Sequence, residues 1–199
     1  MDPSAQTLAY YEHNARAYAD RTRSRLHRDA LREFFTRLPP QGHILDAGCG
    51  SGRDLKEMVH AGYHAEGVDF SPSMVELARS CSGARVACTD LQLLSPPRES
   101  FDGIWAHRSL VHLPPPGVQR VMGIFFAAIR PRGTLFISID EGTGHEDDRT
   151  DDPSGPPRRF HFYPSGEFAS LLRQSGFKVL AQGRNPDATR QIGFIAERI

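Results

Sequence analysis

Apolar positions along the chain switch between two spacings. Through residues 4–37 they recur at helical spacing and predict two helices. Leu8, Tyr11, Ala15, Tyr18 and Ala19 mark the first, with Ser4 as its candidate cap. Leu26, Ala30, Leu31, Phe34, Phe35 and Leu38 mark the second, from about Ser24 to Arg37, and Pro39-Pro40 stops it. Beyond Pro40, short apolar strands alternate with helical segments. Strands are predicted at 43–47, 64–68, 85–88, 101–106, 134–139, 177–182 and 191–197, and helices at 53–61, 72–80, 118–130 and 167–175. Ser71 or Ser73 is the cap expected for the 72–80 helix, and Gly176 ends the 167–175 helix. This alternation implies a parallel sheet covered on both faces. Only the eight residues Gly183–Arg190 join the last two strands, too few for a parallel crossover, so these should pair antiparallel. The expected fold is α/β: a single-domain, doubly wound, seven-stranded sheet, mostly parallel with an antiparallel last strand and helices on both faces. Residues 1–40 would form an N-terminal helical cap and 41–199 the sheet domain.

One segment fits neither spacing. Asp140–Asp152 holds seven acids and one arginine, and Pro153-Ser-Gly-Pro-Pro157 follows. It predicts a loop of roughly 20 residues, either an acidic surface loop or a lid.

A length of 199 residues fits one domain. Lys plus Arg and Asp plus Glu are both 24, and the neutral total argues against bulk binding to nucleic acid or an anionic membrane. Seven arginines between Arg16 and Arg37 read as a solvated helix face partnered by Asp20, Asp29 and Glu33. Cys49, Cys81 and Cys88 are an odd set without metal-like spacing, which fits a reducing cytoplasm. No apolar run approaches the ~20 residues of a membrane span, and the Met1-Asp-Pro-Ser4 start lacks the basic residues of a signal peptide. A cytoplasmic protein with no membrane partner is expected.

The candidate chemistry begins at Ile44-Leu-Asp-Ala-Gly-Cys-Gly-Ser-Gly52, where a strand runs into three alternate glycines and then a helix. Glycine permits the tight turn and a close ligand approach, and the helix start offers free N–H groups. A dinucleotide loop would need its third glycine at position 53, which is Arg53. Asp46 suits a ligand with an ammonium group better than a pyrophosphate. Asp69, ending the second strand, can accept both hydroxyls of a ribose. Asp90, ending the third, can accept from an exocyclic amine. Cys49 reads as a small apolar filler.

These motifs resemble the class I S-adenosylmethionine-dependent methyltransferases, in particular small bacterial-type enzymes acting on small molecules. The carriers are Asp46-Ala-Gly-Cys-Gly-Ser-Gly52, Gly67-Val-Asp-Phe-Ser-Pro-Ser-Met74, Asp90, Phe101-Asp-Gly-Ile-Trp-Ala106, Leu110-Val-His-Leu113 and Arg130-Pro-Arg-Gly133. The resemblance implies S-adenosylmethionine as cofactor and S-adenosylhomocysteine as product. Asp46, Gly48, Gly50 and Gly52 would hold the methionine end, and Asp69 the ribose. Phe70 and Met74 would sit beside the adenine, and Asp90 and Leu91 would contact it. Ala106 and His107 would lie near the methyl, and Tyr11 and Tyr18 would fold over the cofactor. Arg132 stands where relatives usually have a glycine turn.

The acceptor is expected to be a small molecule methylated on O, N or S; nucleic acid is disfavoured, and the state is monomer or homodimer. An RNA methyltransferase of the same fold and a non-catalytic binder of the cofactor are the competing readings. A hydroxyl or protonated amine would need a base, for which His107, His112, Glu141 and His161 are candidates, His107 being the best placed. His112, Arg159 and Tyr163 are the expected acceptor-binding residues. Arginine could pair an acceptor anion, or Arg158 and Arg159 could instead meet the acidic loop while Phe160 and Phe162 enter the core. No carboxylate set has metal-ligand spacing, so no metal is expected.

Overall fold

The computed structural model describes residues 3–24, 27–149, 155–185, 188 and 190–199. In chain order the elements are α1 (Pro3–Thr22), α2 (Arg28–Phe35), β1 (His43–Ala47), α3 (Arg53–His60), β2 (His64–Asp69), α4 (Pro72–Ser82), β3 (Arg85–Cys88) and β4 (Phe101–Ala106). There follow α5 (Pro115–Ala128), β5 (Ile129–Glu141), β6 (His145–Asp148), β7 (Arg158–Tyr163), α6 (Ser165–Gln174), β8 (Phe177–Arg184) and β9 (Gln191–Arg198). β3, β2, β1, β4 and β5 lie side by side and parallel; β9 runs antiparallel between β5 and β8. All seven expected strands form, and the expected antiparallel end is present.

Boundaries move for identifiable reasons. Ser4 lies inside α1 and is not its cap. α2 starts at Arg28, after His27, and Leu26 lies outside the described residues. Ser71 caps α4 by accepting from the Met74 amide at 3.1 Å. α5 begins at Pro115 and stops at Ala128, because Ile129 already pairs with Phe101 across a register shift in β4–β5.

The largest correction concerns the segment expected as a loop, of which residues 150–154 lie outside the described residues. β6 and β7 make an antiparallel hairpin in which Asp147 faces Arg159 and Asp148 faces Arg158. These opposite charges pair at 2.7 and 2.8 Å, so the acidic and basic clusters zip two strands together. Asp140 pairs with Gln191 of β9 on one edge of β5 and with Phe162 of β7 on the other. The hairpin thus occupies the edge that the shorter β4 leaves, and extends the sheet beyond its carboxyl end.

Apolar burial follows the two faces. Val121, Met122, Phe125, Phe168 and Leu172 of α5 and α6 pack on Leu135, Ile137 and Phe194. Leu31, Phe34 and Met58 of α2 and α3 cover Ile44, Trp105, Phe136 and Ile195 on the other side. Trp105 stacks on Phe136 with centroids 3.8 Å apart. α1 crosses to α4 through Tyr10, Tyr11, Ala15 and Met74. Glu12 anchors it there, accepting from the Ser71 hydroxyl (2.5 Å), the Ser73 amide (3.1 Å) and the Ser73 hydroxyl (2.8 Å). Helix α1 and the hairpin therefore roof the carboxyl ends of β1–β4. No helix among the described residues is long and apolar enough to cross a membrane.

Candidate functional site

The roof encloses a cavity of about 830 Å³ at the carboxyl edge of the sheet, where open α/β sheets take ligands. One wall is the glycine loop. The amides of Gly48 and Cys49 both donate to the Val68 carbonyl, at 2.8 and 3.0 Å, and fold the loop across β2. Gly50 has φ 53°, a Cβ there would meet nothing within 4 Å, and the residue opens on the cavity. Gly52 does a different job. A side chain there would strike the Ala78 backbone at 2.7 Å, so this glycine lets α3 pack on α4 and is not in the cavity wall.

Two acids frame this loop. Asp69 accepts the Gly50 amide on one oxygen (2.9 Å) and the Ser71 amide on the other (3.0 Å). Burial raises its carboxyl above the usual range despite those bonds. Asp46 is 2% exposed, and its Oδ2 has no hydrogen-bond partner. Burial, then the charges of Asp54 and Asp69, push its carboxyl well above the usual range. A buried unpaired carboxylate oxygen in a cavity wall is a group awaiting a donor. Asp90 caps the short turn 91–93, accepting from the Gln92 amide at 2.7 Å.

The opposite wall carries the rings. Tyr11 sits edge-on to Tyr18 (5.4 Å), Phe70 (6.1 Å) and His112 (5.6 Å). Its hydroxyl lies 2.9 Å from His112 Nε2, while His112 Nδ1 lies 2.7 Å from the Arg159 carbonyl. Burial depresses His112 to about 4. Tyr11, Tyr18, Asp46, Gly48, Gly50, Asp69, Phe70, Met74, Asp90, Leu91, His107 and His112 all line the cavity.

Three further expectations fall elsewhere. Ala106 is wholly buried in the core under the loop. Tyr163, expected at the acceptor, is buried and donates its hydroxyl to the Leu113 carbonyl. The Arg159 side chain turns outward to Asp147, because alternate residues of a strand face opposite sides. Arg158 is the arginine of this pair that lines the cavity, its guanidinium over the Tyr10 (4.8 Å) and Phe160 (5.0 Å) rings. Among the other base candidates, Glu141 pairs with Ser165 and Arg184, and His161 lies beside His145; neither lines the cavity.

Around Arg53 and His107 the fold also gathers residues that the sequence did not single out. Arg53 donates to Asp54 through Nε (2.7 Å) and Nη2 (3.1 Å), and through Nη1 to the Thr22 carbonyl (3.2 Å). Trp105 Nε1 also donates to Asp54, at 3.1 Å, and His107 Nδ1 lies 3.3 Å away. His27, Asn185 and Gln191 complete that wall. The acid at the first turn of α3 was the only available hint, and such acids are common helix-start residues. Among the described residues no cluster of His, Cys, Asp and Glu could hold a metal ion.

Residues 16–182 match a protein family described as a methyltransferase domain. The chain belongs to this family. Its similar proteins include a ubiquinone biosynthesis O-methyltransferase of Coxiella burnetii, 33% identical over 101 residues, which are 48% of this chain and 42% of that one. A protein of the same name from Xylella fastidiosa is 28% identical over 161 residues, 72% of this chain and 64% of that one. The chain thus spans about half the length of these curated relatives. A solved Burkholderia thailandensis 1,6-didemethyltoxoflavin-N1-methyltransferase, holding its substrate and S-adenosylhomocysteine, superposes with TM-score 0.77. It is 23% identical, and the match covers 100% of this chain and 91% of that one.

Proposed function

We propose that the chain is an S-adenosylmethionine-dependent methyltransferase that moves a methyl group to O, N or S of a small-molecule acceptor by in-line displacement. The observation that carries this reading is the unpartnered, buried Asp46 oxygen beside a glycine loop, in the same cavity wall as Asp69 and Asp90. That set of acceptors fits the cofactor. Asp46 and the loop backbone at Gly48 and Gly50 would take its amino-acid end, and Asp69, with an amide on each oxygen and lone pairs to spare, the ribose hydroxyls. Asp90 and Leu91 would meet the adenine, flanked by Phe70 and Met74, with Tyr11 and Tyr18 above. When bound, S-adenosylmethionine supplies a methyl already activated as a sulfonium. The residues of this chain have to align the acceptor with it and exclude water, and such positioning is worth ~7–11 kcal/mol.

Relatives named as an O-methyltransferase and an N1-methyltransferase support a small-molecule acceptor and leave oxygen and nitrogen open. Neutral net charge supports an acceptor other than nucleic acid; a monomer or homodimer is the proposed state and the cytoplasm the proposed compartment. Titration calorimetry with S-adenosylmethionine, S-adenosylhomocysteine and NAD tests the cofactor: both sulfur ligands should bind and NAD should not. Absence of binding by either sulfur ligand would overturn the reading. A steep salt dependence of RNA binding would favour an RNA acceptor instead.

A further inference from the structure

Three histidines line the cavity, His27, His107 and His112, and burial lowers the basicity of each, but only His107 is equipped to carry a proton. His112 donates from Nδ1 to the Arg159 carbonyl, so its Nε2 accepts the Tyr11 hydroxyl. Its charged neighbours are Arg158, Arg108 and His161, all of which oppose an imidazolium. His107 instead faces Asp54 across 3.3 Å. On its far edge the Gln191 amide nitrogen lies 2.8 Å from His107 Nε2. An amide N–H only donates, and so does the Arg53 guanidinium, whose Nη2 lies 3.3 Å from Nδ1; the shorter Gln191 contact makes Nε2 the acceptor and leaves the Nδ1 hydrogen beside Asp54 and Arg53, where the carboxylate is the group that can take it.

Asp54 is held ionised. Burial opposes its charge, yet Arg53 and His107 beside it keep its carboxyl far below the usual range. The groups facing His107 are Asp54 and Arg53 of α3, Arg108 beyond β4, Gln191 of β9 and the His27 ring, 4.2 Å away between centroids. Burial lowers the basicity of His107 and Asp54 restores part of it, which leaves the ring neutral near pH 7.

We propose that Asp54 and His107 form a proton-accepting pair, and that the acceptor is a conjugated ring compound bearing an acidified O–H or N–H. This rests on the methyltransferase reading above. A weakly basic imidazole matches a proton of comparable acidity, as on an electron-poor phenol or ring nitrogen; an unactivated phenol, at ~10, is too weakly acidic. An alkyl alcohol is too weakly acidic for it, and a thiol ionises near neutrality without it. The His27 ring and the Asn185 and Gln191 amides offer such an acceptor a stacking face and polar partners.

In the step itself, the acceptor displaces the Gln191 amide from Nε2. Gln191 keeps its bonds with Asn185 (2.9 Å) and Ser138 (3.4 Å). The acceptor's X–H bond breaks, and its proton moves to His107 Nε2. The freed electron pair forms the new bond to the sulfonium methyl, and the C–S pair stays on sulfur as a neutral thioether. Asp54 balances the imidazolium until its proton leaves to water. His107 is thus the catalytic residue, and Asp54 a positioning residue that sets the tautomer.

The probe is 4-nitrophenol, a ring hydroxyl whose ionisation is read by absorbance, added to protein loaded with S-adenosylhomocysteine. Bound probe should ionise about one pH unit lower than free probe, a tenfold change in the ratio of its two forms. His107→Gln and Asp54→Asn should each abolish that shift while S-adenosylhomocysteine still binds by calorimetry. If Asp54→Asn does not fold, ¹⁵N NMR of His107 in the unaltered protein decides the dyad: hydrogen on Nδ1 supports it and hydrogen on Nε2 overturns it. An unshifted probe, a shift that survives His107→Gln, or a probe that does not bind would overturn the proposal. Failure to bind S-adenosylhomocysteine would instead overturn the cofactor reading.

Discussion

Asp46 and Asp54 stand on either side of the glycine loop, both buried, and their surroundings are opposite. Asp54 takes hydrogen bonds from Arg53 and Trp105 and lies beside His107; Asp46 keeps one oxygen with no partner at all. Their carboxyls shift in opposite directions accordingly, Asp54 down and Asp46 up. A fully partnered buried charge holds the protein and orients its neighbours, whereas an unpartnered one is a place kept for a ligand. The cavity has one half of each kind.

The sharpest way to break this comparison is to remove both carboxylates in turn. Asp54→Ala leaves Arg53 and the Trp105 indole without their partner and should cost about 3–5 kcal/mol of stability in chemical denaturation. A loss under about 1 kcal/mol would show that Asp54 does not hold that half together. Asp46→Asn should do the reverse. It should weaken S-adenosylmethionine binding by roughly 30-fold or more, about 2–3 kcal/mol for a charged hydrogen bond, and leave the melting temperature equal or higher.

Acid separates the two halves further. Binding requires ionised Asp46, whose pKa in the free protein is raised. Affinity should be full above that raised value and fall as pH drops through it. Between the ordinary aspartate value of ~4 and the raised one, binding should release a proton, seen in calorimetry as a heat that depends on the buffer. A heat that does not depend on the buffer throughout that window would mean that Asp46 does not meet the ammonium group.

Two smaller changes test the hairpin and a turn. Arg159→Ala removes a cross-strand pair with Asp147 and should cost less than about 1 kcal/mol, with no change in cofactor binding. Arg132 holds φ 65°, in the left-handed region. Arg132→Gly should relieve it and stabilise by about 0.5–1 kcal/mol in chemical denaturation, and an unchanged or lower stability would show that the turn stores no strain.

Much of the proposed cofactor half is legible along the chain, because its parts are local. The alternate glycines follow β1, Asp69 ends β2 and Asp90 lies two residues past β3, each of them a strand that its own periodicity predicts. Gly52 was the exception: its contact with Ala78 is made between helices, and spacing is silent on that. The proposed acceptor half is mostly hidden in the sequence. Arg53 looked like a missing glycine, and Asp54 like an ordinary first-turn acid. His27 comes from the start of α2, and Asn185 and Gln191 from the two ends of the β8–β9 connection more than 150 residues later. The acidic run looked like a loop because charged, glycine-bearing segments usually are, yet its charges matched those of 158–159 in register.

What the sequence determined by itself was the alternation of elements, the sheet's closing antiparallel pair and the acids at three successive strand ends. Each of these depends on neighbours a few residues apart. The tertiary structure alone decided that Asp46 would lack a partner while Asp54 gained several, that Arg158 and not Arg159 would face the cavity, and that His107 would meet a carboxylate. Those outcomes depend on which groups from distant segments share one desolvated space. Burial there makes each missing or present partner count for far more than it would in water.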